Sequence, residues 1–126
     1  VVPTLQQLDQ QYELPMFRHM RRELPRKPSE YFAQNGYIGA AFMDGDAAIA
    51  RYDIGVDKLM WGSDYPHMEG TWPHTQDKLQ AALGSVPTDE VTQILGGTAA
   101  RVYGFDVEKL SRLASEIGPE RSSMGV

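Results

Sequence analysis

Apolar residues recur along this chain at two different spacings, and the changes between them mark out its elements. Leu5, Leu8 and Tyr12 fall at helical intervals, so a helix is expected over Thr4 to Glu13, with Thr4 as cap and Gln7 as its capping-box partner. The periodicity is lost at Pro25 and Pro28. Residues 16 to 30 read as irregular, carrying Arg18, Arg21, Arg22, Arg26 and Lys27. Residues 37 to 42 are a short apolar run of strand length. Asp44-Gly45-Asp46 then reads as a turn and helix cap, and Ala47 to Ile54 as a helix stopped by Gly55. A second apolar run, Lys58 to Ser63, has the character of a strand buried on both faces, as parallel strands are. Strand, helix, strand in this order is a βαβ unit.

Helical spacing returns after residue 74. Thr75 to Leu83 ends at Gly84. Asp89 to Tyr103 is capped by Thr88 and carries a stripe of Val91, Ile94, Leu95, Ala99 and Val102, with Gly96-Gly97 weakening its middle. Val107 to Ile117 is capped by Asp106, shows Val107, Leu110, Ala114 and Ile117 on one face, and stops at Gly118-Pro119. Residues 120 to 126 read as a frayed tail. Two parallel strands do not make a covered sheet, so these strands call for partners beyond themselves.

Composition narrows the function classes. The chain has 126 residues, enough for one domain, and 41% apolar with 23% charged residues is a globular mixture. A net charge of −5 argues against nucleic acid as a partner, because phosphate binding needs a basic face. The cluster of arginines before residue 30 reads as a solvated surface in preference to an anion site. No apolar run is long enough to span a membrane, and no signal peptide is visible. Cysteine is absent, which excludes disulfides, thiolate zinc sites and cysteine nucleophiles and fits a cytoplasmic protein. A first residue of valine fits a processed chain or part of a larger one.

Candidate chemistry gathers in one place. Gly62-Ser63-Asp64-Tyr65-Pro66-His67-Met68-Glu69-Gly70-Thr71-Trp72-Pro73-His74 follows the second strand directly. Ligands of α/β folds bind beyond the carboxyl ends of parallel strands. A carboxylate there, with imidazoles and a second carboxylate nearby, suits metal binding or proton relay. Singly the residues are less telling. Asp64 also serves as a turn residue before Pro66, loop histidines are commonly surface groups, and Glu69 reads as solvated. No H-x-H or H-E-x-x-H occurs, and His19 stands alone.

Leu59-Met60-Trp61-Gly62-Ser63-Asp64-Tyr65-Pro66-His67 resembles the last-strand motif of the amidohydrolase-related family, the group of metal-dependent hydrolases and aminocarboxymuconate-type decarboxylases. Four further stretches agree in order. Lys27-Pro28-Ser29-Glu30-Tyr31-Phe32 is similar to the segment before the seventh strand of that family, Tyr52 to Asp57 to the lead-in to the eighth, Glu69 to Pro73 to the following loop, and Ile94 to Asp106 to the C-terminal helix. The resemblance implies an α/β, helix-rich chain forming the C-terminal portion of a TIM (β/α)8 barrel, about strands 7 and 8 with surrounding helices. Residues 1–126 are then a single partial domain, because the full barrel needs at least about 200 residues.

The family's metal centre uses an H-x-H after the first strand, a histidine after the fifth and an aspartate after the eighth. Only the aspartate has a counterpart here, Asp64, which the resemblance makes both metal ligand and general base. His67 and Glu69 are candidate substrate-binding residues at the mouth. Thr98 departs from the asparagine usual in the family's N-A-A-R helix, a position read as structural. The implied cofactor is a divalent metal, zinc by family habit, in the intact enzyme; with one ligand of about four, this chain alone is expected to bind it weakly or not at all. The expected activity is hydrolysis, or non-oxidative decarboxylation, of a small carbonyl or carboxylate substrate. By itself the chain is expected to be inactive, its partner being the missing N-terminal part of the barrel or further copies in a homo-oligomer. The alternative is a non-catalytic, self-associating module derived from the same barrel, its unpaired strand edges driving association.

Overall fold

A computed structural model of the chain describes residues 1–41 and 48–119. Asp44-Gly45-Asp46, Phe42, Ala47 and the tail from residue 120 lie outside the described residues. The chain divides into two compact units, Val1–Tyr37 and Ile38–Val126.

The first unit packs helix α1 (Val2–Tyr12) with α3 (Pro28–Asn35), joined through a 3-10 turn at Pro15–Phe17 and the single turn α2 (Met20–Glu23). Helix α1 begins two residues earlier than the pattern predicts. Pro3 sits in its first turn, where the missing N–H costs nothing, and Thr4 lies inside the helix without capping it. Helix α3 is the element that the prolines concealed. Pro28 opens it, and the Glu30 side chain accepts the Lys27 N–H at 2.7 Å.

Polar contacts hold this unit together, for none of its residues is buried. Asp9 receives the Ser29 N–H at 3.0 Å and the Ser29 hydroxyl at 2.6 Å. These bonds hold the Asp9 carboxyl below its ordinary range. The Tyr12 hydroxyl donates to the Leu24 carbonyl at 2.5 Å, and Arg21 donates to the Tyr12 and Leu14 carbonyls while lying over the Tyr12 ring. Arg26 bonds Gln34 and Lys27 pairs with Glu13 at 3.2 Å. Three of the five basic residues, Arg21, Arg26 and Lys27, are thus engaged within the unit.

The second unit carries the sheet. Strand β1 (Ile38–Ala40) pairs in parallel with β2 (Leu59–Trp61), with Ile38 opposite Leu59 and Ala40 opposite Trp61. Between them lie α4 (Arg51–Ile54) and a 3-10 turn at Val56–Lys58, as the βαβ pattern predicts. Gly55 ends α4 at φ 104°, a conformation that L side chains rarely adopt. Helix α5 (Thr75–Leu83) ends at Gly84, matching its sequence limits to the residue.

The predicted helix Asp89 to Tyr103 is three pieces in one run: α6 (Thr88–Thr92), a π turn at Gln93–Gly97 and α7 (Thr98–Tyr103). Thr88 is its first residue and Pro87 occupies the cap position. Gly96-Gly97 falls within the wider π turn and does not break the run. Helix α8 (Val107–Ile117) is capped by Asp106, which accepts the Lys109 N–H at 3.0 Å.

Leu59, Leu79, Ala82, Leu83, Val91 and Ile94 form the core, flanked by Ile38, Ile54, Val56 and Trp61. Leu83 and Ile94 are essentially inaccessible to solvent, and burying each stabilises the unit by roughly 1.5–3 kcal/mol. A charged peg ties α4 to α6. Arg51 Nε donates to Glu90 at 2.6 Å, and the Tyr52 hydroxyl donates to the same carboxylate at 2.9 Å. The Arg51 hydrogen bond, and then that of Tyr52, pulls the Glu90 carboxyl below its ordinary range.

Candidate active site

The strand β2 delivers its residues to two faces. Leu59 and Trp61 pack with the core, whereas Met60 and Gly62 alternate to the opposite side, where Gly39 of β1 lies beside Met60. A side chain built on Gly39 or Gly62 would meet nothing within 4 Å. That side of the sheet is therefore open at Gly39 and Gly62, on either side of Met60.

Asp64 follows at φ 56°, a left-handed conformation that aspartate tolerates better than most residues. The chain turns there and is then held closed by its own backbone. The Asp64 carbonyl accepts the His67 N–H at 2.8 Å, the His67 carbonyl accepts the Gly70 N–H at 2.9 Å, and the Ser63 carbonyl accepts the Thr71 N–H at 3.0 Å. Gly70 is required at this crossing. A Cβ there would lie 2.8 Å from the Ser63 carbonyl oxygen and 2.9 Å from that of Asp64. Buried Thr71 bonds the Ser63 carbonyl and shares a hydrogen bond with Thr75 at the start of α5. The Tyr65–Pro66 and Trp72–Pro73 peptide bonds are cis, and the Tyr65 and Trp72 rings meet edge to face at 5.9 Å.

A cavity of about 440 Å3 opens at the carboxyl ends of the strands. Gly39, Ala40 and Ala41 line it from β1, Met60, Trp61, Gly62 and Asp64 from β2, and Ala99 and Tyr103 from α7. Its walls are apolar or aromatic, with Asp64 the carboxylate among them. His67 Nδ1 stands 3.4 Å from Asp64 Oδ2, and both side chains are partly exposed. The structure thus brings two of the three predicted site residues together. Glu69 is exposed on the turn and does not line the cavity. His74 takes the cap position of α5, 4.0 Å from Asp77, and contributes nothing to the Asp64 cavity.

Tyr103 is the residue that sequence reasoning did not select. It stands 39 positions after Asp64, its ring is stacked on Phe105 at 5.7 Å, and its helical spacing marks it only as the end of α7. The aromatic pair flanking Gly104, a left-handed cap at φ 67°, was the available signal. Thr98 is fully buried, lines no part of this cavity, and has a hydroxyl without a hydrogen-bond partner among the described residues.

The amidohydrolase family model matches residues 3–105, a span that takes in both strands, the Asp64 loop and Tyr103. The chain belongs to the amidohydrolase family. Amidohydrolases are generally metal-dependent hydrolases, so a carboxylate at a strand end has a ready chemical meaning. No curated protein matches the sequence at a significant level. Among the described residues, no three histidine or carboxylate side chains converge as a metal site. The described part of this amidohydrolase therefore does not fit a resident ion by itself, since zinc sites use three or four protein ligands. No described helix is long and apolar enough to cross a membrane.

Proposed function

We propose that the chain is the C-terminal part of a metal-dependent amidohydrolase barrel, with β1 and β2 as about its seventh and eighth strands and Asp64 as its metal-contacting general base. The observation that carries this reading is the seat of Asp64. It leaves the end of a parallel strand, stands in a left-handed turn pinned by Gly70, and lines a cavity with Tyr103. Strand ends hold catalytic groups more accurately than free loops do. The small residues Gly39 and Gly62 on the open side of the sheet suit the crowded inner face of a barrel, and Leu59 and Trp61 suit its helix-covered outer face.

The substrate is a small carbonyl or carboxylate compound, and the reaction is hydrolysis or non-oxidative decarboxylation. In the hydrolytic case a water oxygen bonds the carbonyl carbon, the carbonyl π pair moves onto its oxygen, and the water's proton passes to the Asp64 carboxylate. Collapse then re-forms the carbonyl, breaks the bond to the leaving group and returns that proton to it. His67 Nδ1, 3.4 Å from Oδ2, is placed to share that proton. Glu69, exposed on the turn and outside the cavity lining, is given no part in this chemistry. The remaining ligands for a divalent ion, zinc by family habit, come from the N-terminal part of the barrel.

The test is to express the chain joined to the residues preceding it in its reading frame, and to measure metal content and hydrolysis. Asp64→Asn is expected to lower activity at least about 100-fold, the contribution of a positioned general base. An Asp64→Asn protein of full activity overturns the assignment, as does an upstream segment without an H-x-H.

A further inference from the structure

Among the described helices of eight residues or more, α8 is the most strongly amphipathic, yet it buries none of its residues. Leu110 and Leu113 are each 45% exposed and Ile117 is 84% exposed, so the apolar ridge faces water. Beside the ridge runs an apolar groove of about 900 Å3, walled by Val91, Leu95 and Phe105 on one side and Val107 and Leu110 on the other. An isolated helix of this length is marginal in water, and apolar patches of this kind mark association surfaces.

The charges indicate what covers it. With Leu110 and Ile117 at heptad position a and Leu113 at d, Lys109 and Glu116 both occupy g on one flank of the ridge. Neither side chain has an ion-pair partner among the described residues. In a parallel pair of helices g faces e, which here is the uncharged Ala114. In an antiparallel pair g faces g, and a two-fold axis midway along α8 sets each Lys109 against Glu116 of the other copy. Glu108 and Arg112 lie on the outer face of the helix, clear of this contact.

We infer that α8 is a self-association surface, on which a second copy of this chain packs its own α8 antiparallel, Leu110 against Leu113 of the other copy and the reverse. The two copies share the contact, so the interface is isologous and closes at a dimer. It is independent of the catalytic reading, because α8 lines no part of the Asp64 cavity.

The test is size-exclusion chromatography with light scattering, and sedimentation, on the full chain across a concentration series. A concentration-dependent dimer is expected. Lys109→Glu and Glu116→Lys, each turning two reciprocal attractions into repulsions, are expected to weaken it about tenfold. The double variant, which restores opposite charges, is expected to regain wild-type affinity. Circular dichroism checks that each variant remains folded. A chain that stays monomeric at every concentration overturns the proposal. So does a dimer indifferent to the single substitutions, or one that the double variant fails to restore.

Discussion

Val1–Tyr37 and Ile38–Val126 are compact units that cohere by different physics. In the first, no side chain is buried and the helices are joined by directed polar contacts: Asp9 on Ser29, Tyr12 on Leu24, Arg21 on two carbonyls. In the second, Leu59, Leu83, Val91 and Ile94 make a continuous core, and the Arg51–Glu90–Tyr52 peg sits at its edge. Apolar burial is non-directional and cooperative, whereas each polar contact is worth little net and depends on its own geometry. The candidate residue Asp64, three residues beyond the end of β2, stands on the second kind of foundation.

The largest effect that tests this contrast is Leu83→Ala. It is expected to cost about 2–5 kcal/mol, read as a shift of the denaturant midpoint of the second unit. A cost under about 1 kcal/mol would remove the distinction. Next is Asp9→Ala in the first unit. The Ser29 amide is expected to exchange about tenfold faster, while amides at Leu83 and Ile94 keep their protection.

Acid separates the units further. The folded pKa values of Asp9 and Glu90 both lie below their ordinary ones, so their contributions are complete above the ordinary carboxylate range. They are lost as pH falls below about 4. Amide exchange at pH 3 is expected to show the first unit opening while the core of the second persists. Glu90→Gln is expected to flatten the acid limb of the second unit's stability without touching that of the first. An unchanged acid limb in this variant would mean that the peg has no energetic role.

A smaller effect lies inside the core. Thr98 buries a hydroxyl without a partner among the described residues. Thr98→Val is expected to stabilise the second unit by about 1 kcal/mol, measured by thermal unfolding. The smallest expected effect is that of Asp64→Asn on stability. Its side chain is close to half exposed, so unfolding of this variant is expected to follow wild type within about 0.5 kcal/mol. A larger loss would make Asp64 a structural turn residue first and a chemical group second.

Much of this architecture is legible along the chain because its causes are local. Gly84 stops α5, Asp106 caps α8, and the two apolar runs around an interrupted helix pair in parallel as a βαβ unit should. Proline misled where its meaning depends on position. Pro28 looks like a breaker in a polar stretch, yet at the first turn of α3 it is a helix starter. The glycine pair at residues 96 and 97 looked like a weak point and is accommodated by a π turn.

The candidate site divides the same way. Asp64 and His67 are three residues apart, so their meeting needs only one turn of backbone, and the sequence motif carried it. Tyr103 reaches that cavity only because α7 packs beside β2, and no short-range rule connects positions 39 apart. The sequence by itself determined the family and most of the element types, and it singled out Asp64 as the candidate for chemistry, since these follow from motif, periodicity and capping. Tertiary structure alone decided the remainder: Ser29 as the partner of Asp9, Glu90 as the partner of Arg51, burial at Leu83 and exposure along α8. The periodicity of α8 marks an apolar face without saying what meets it, because burial is fixed by what the rest of the chain brings to that face.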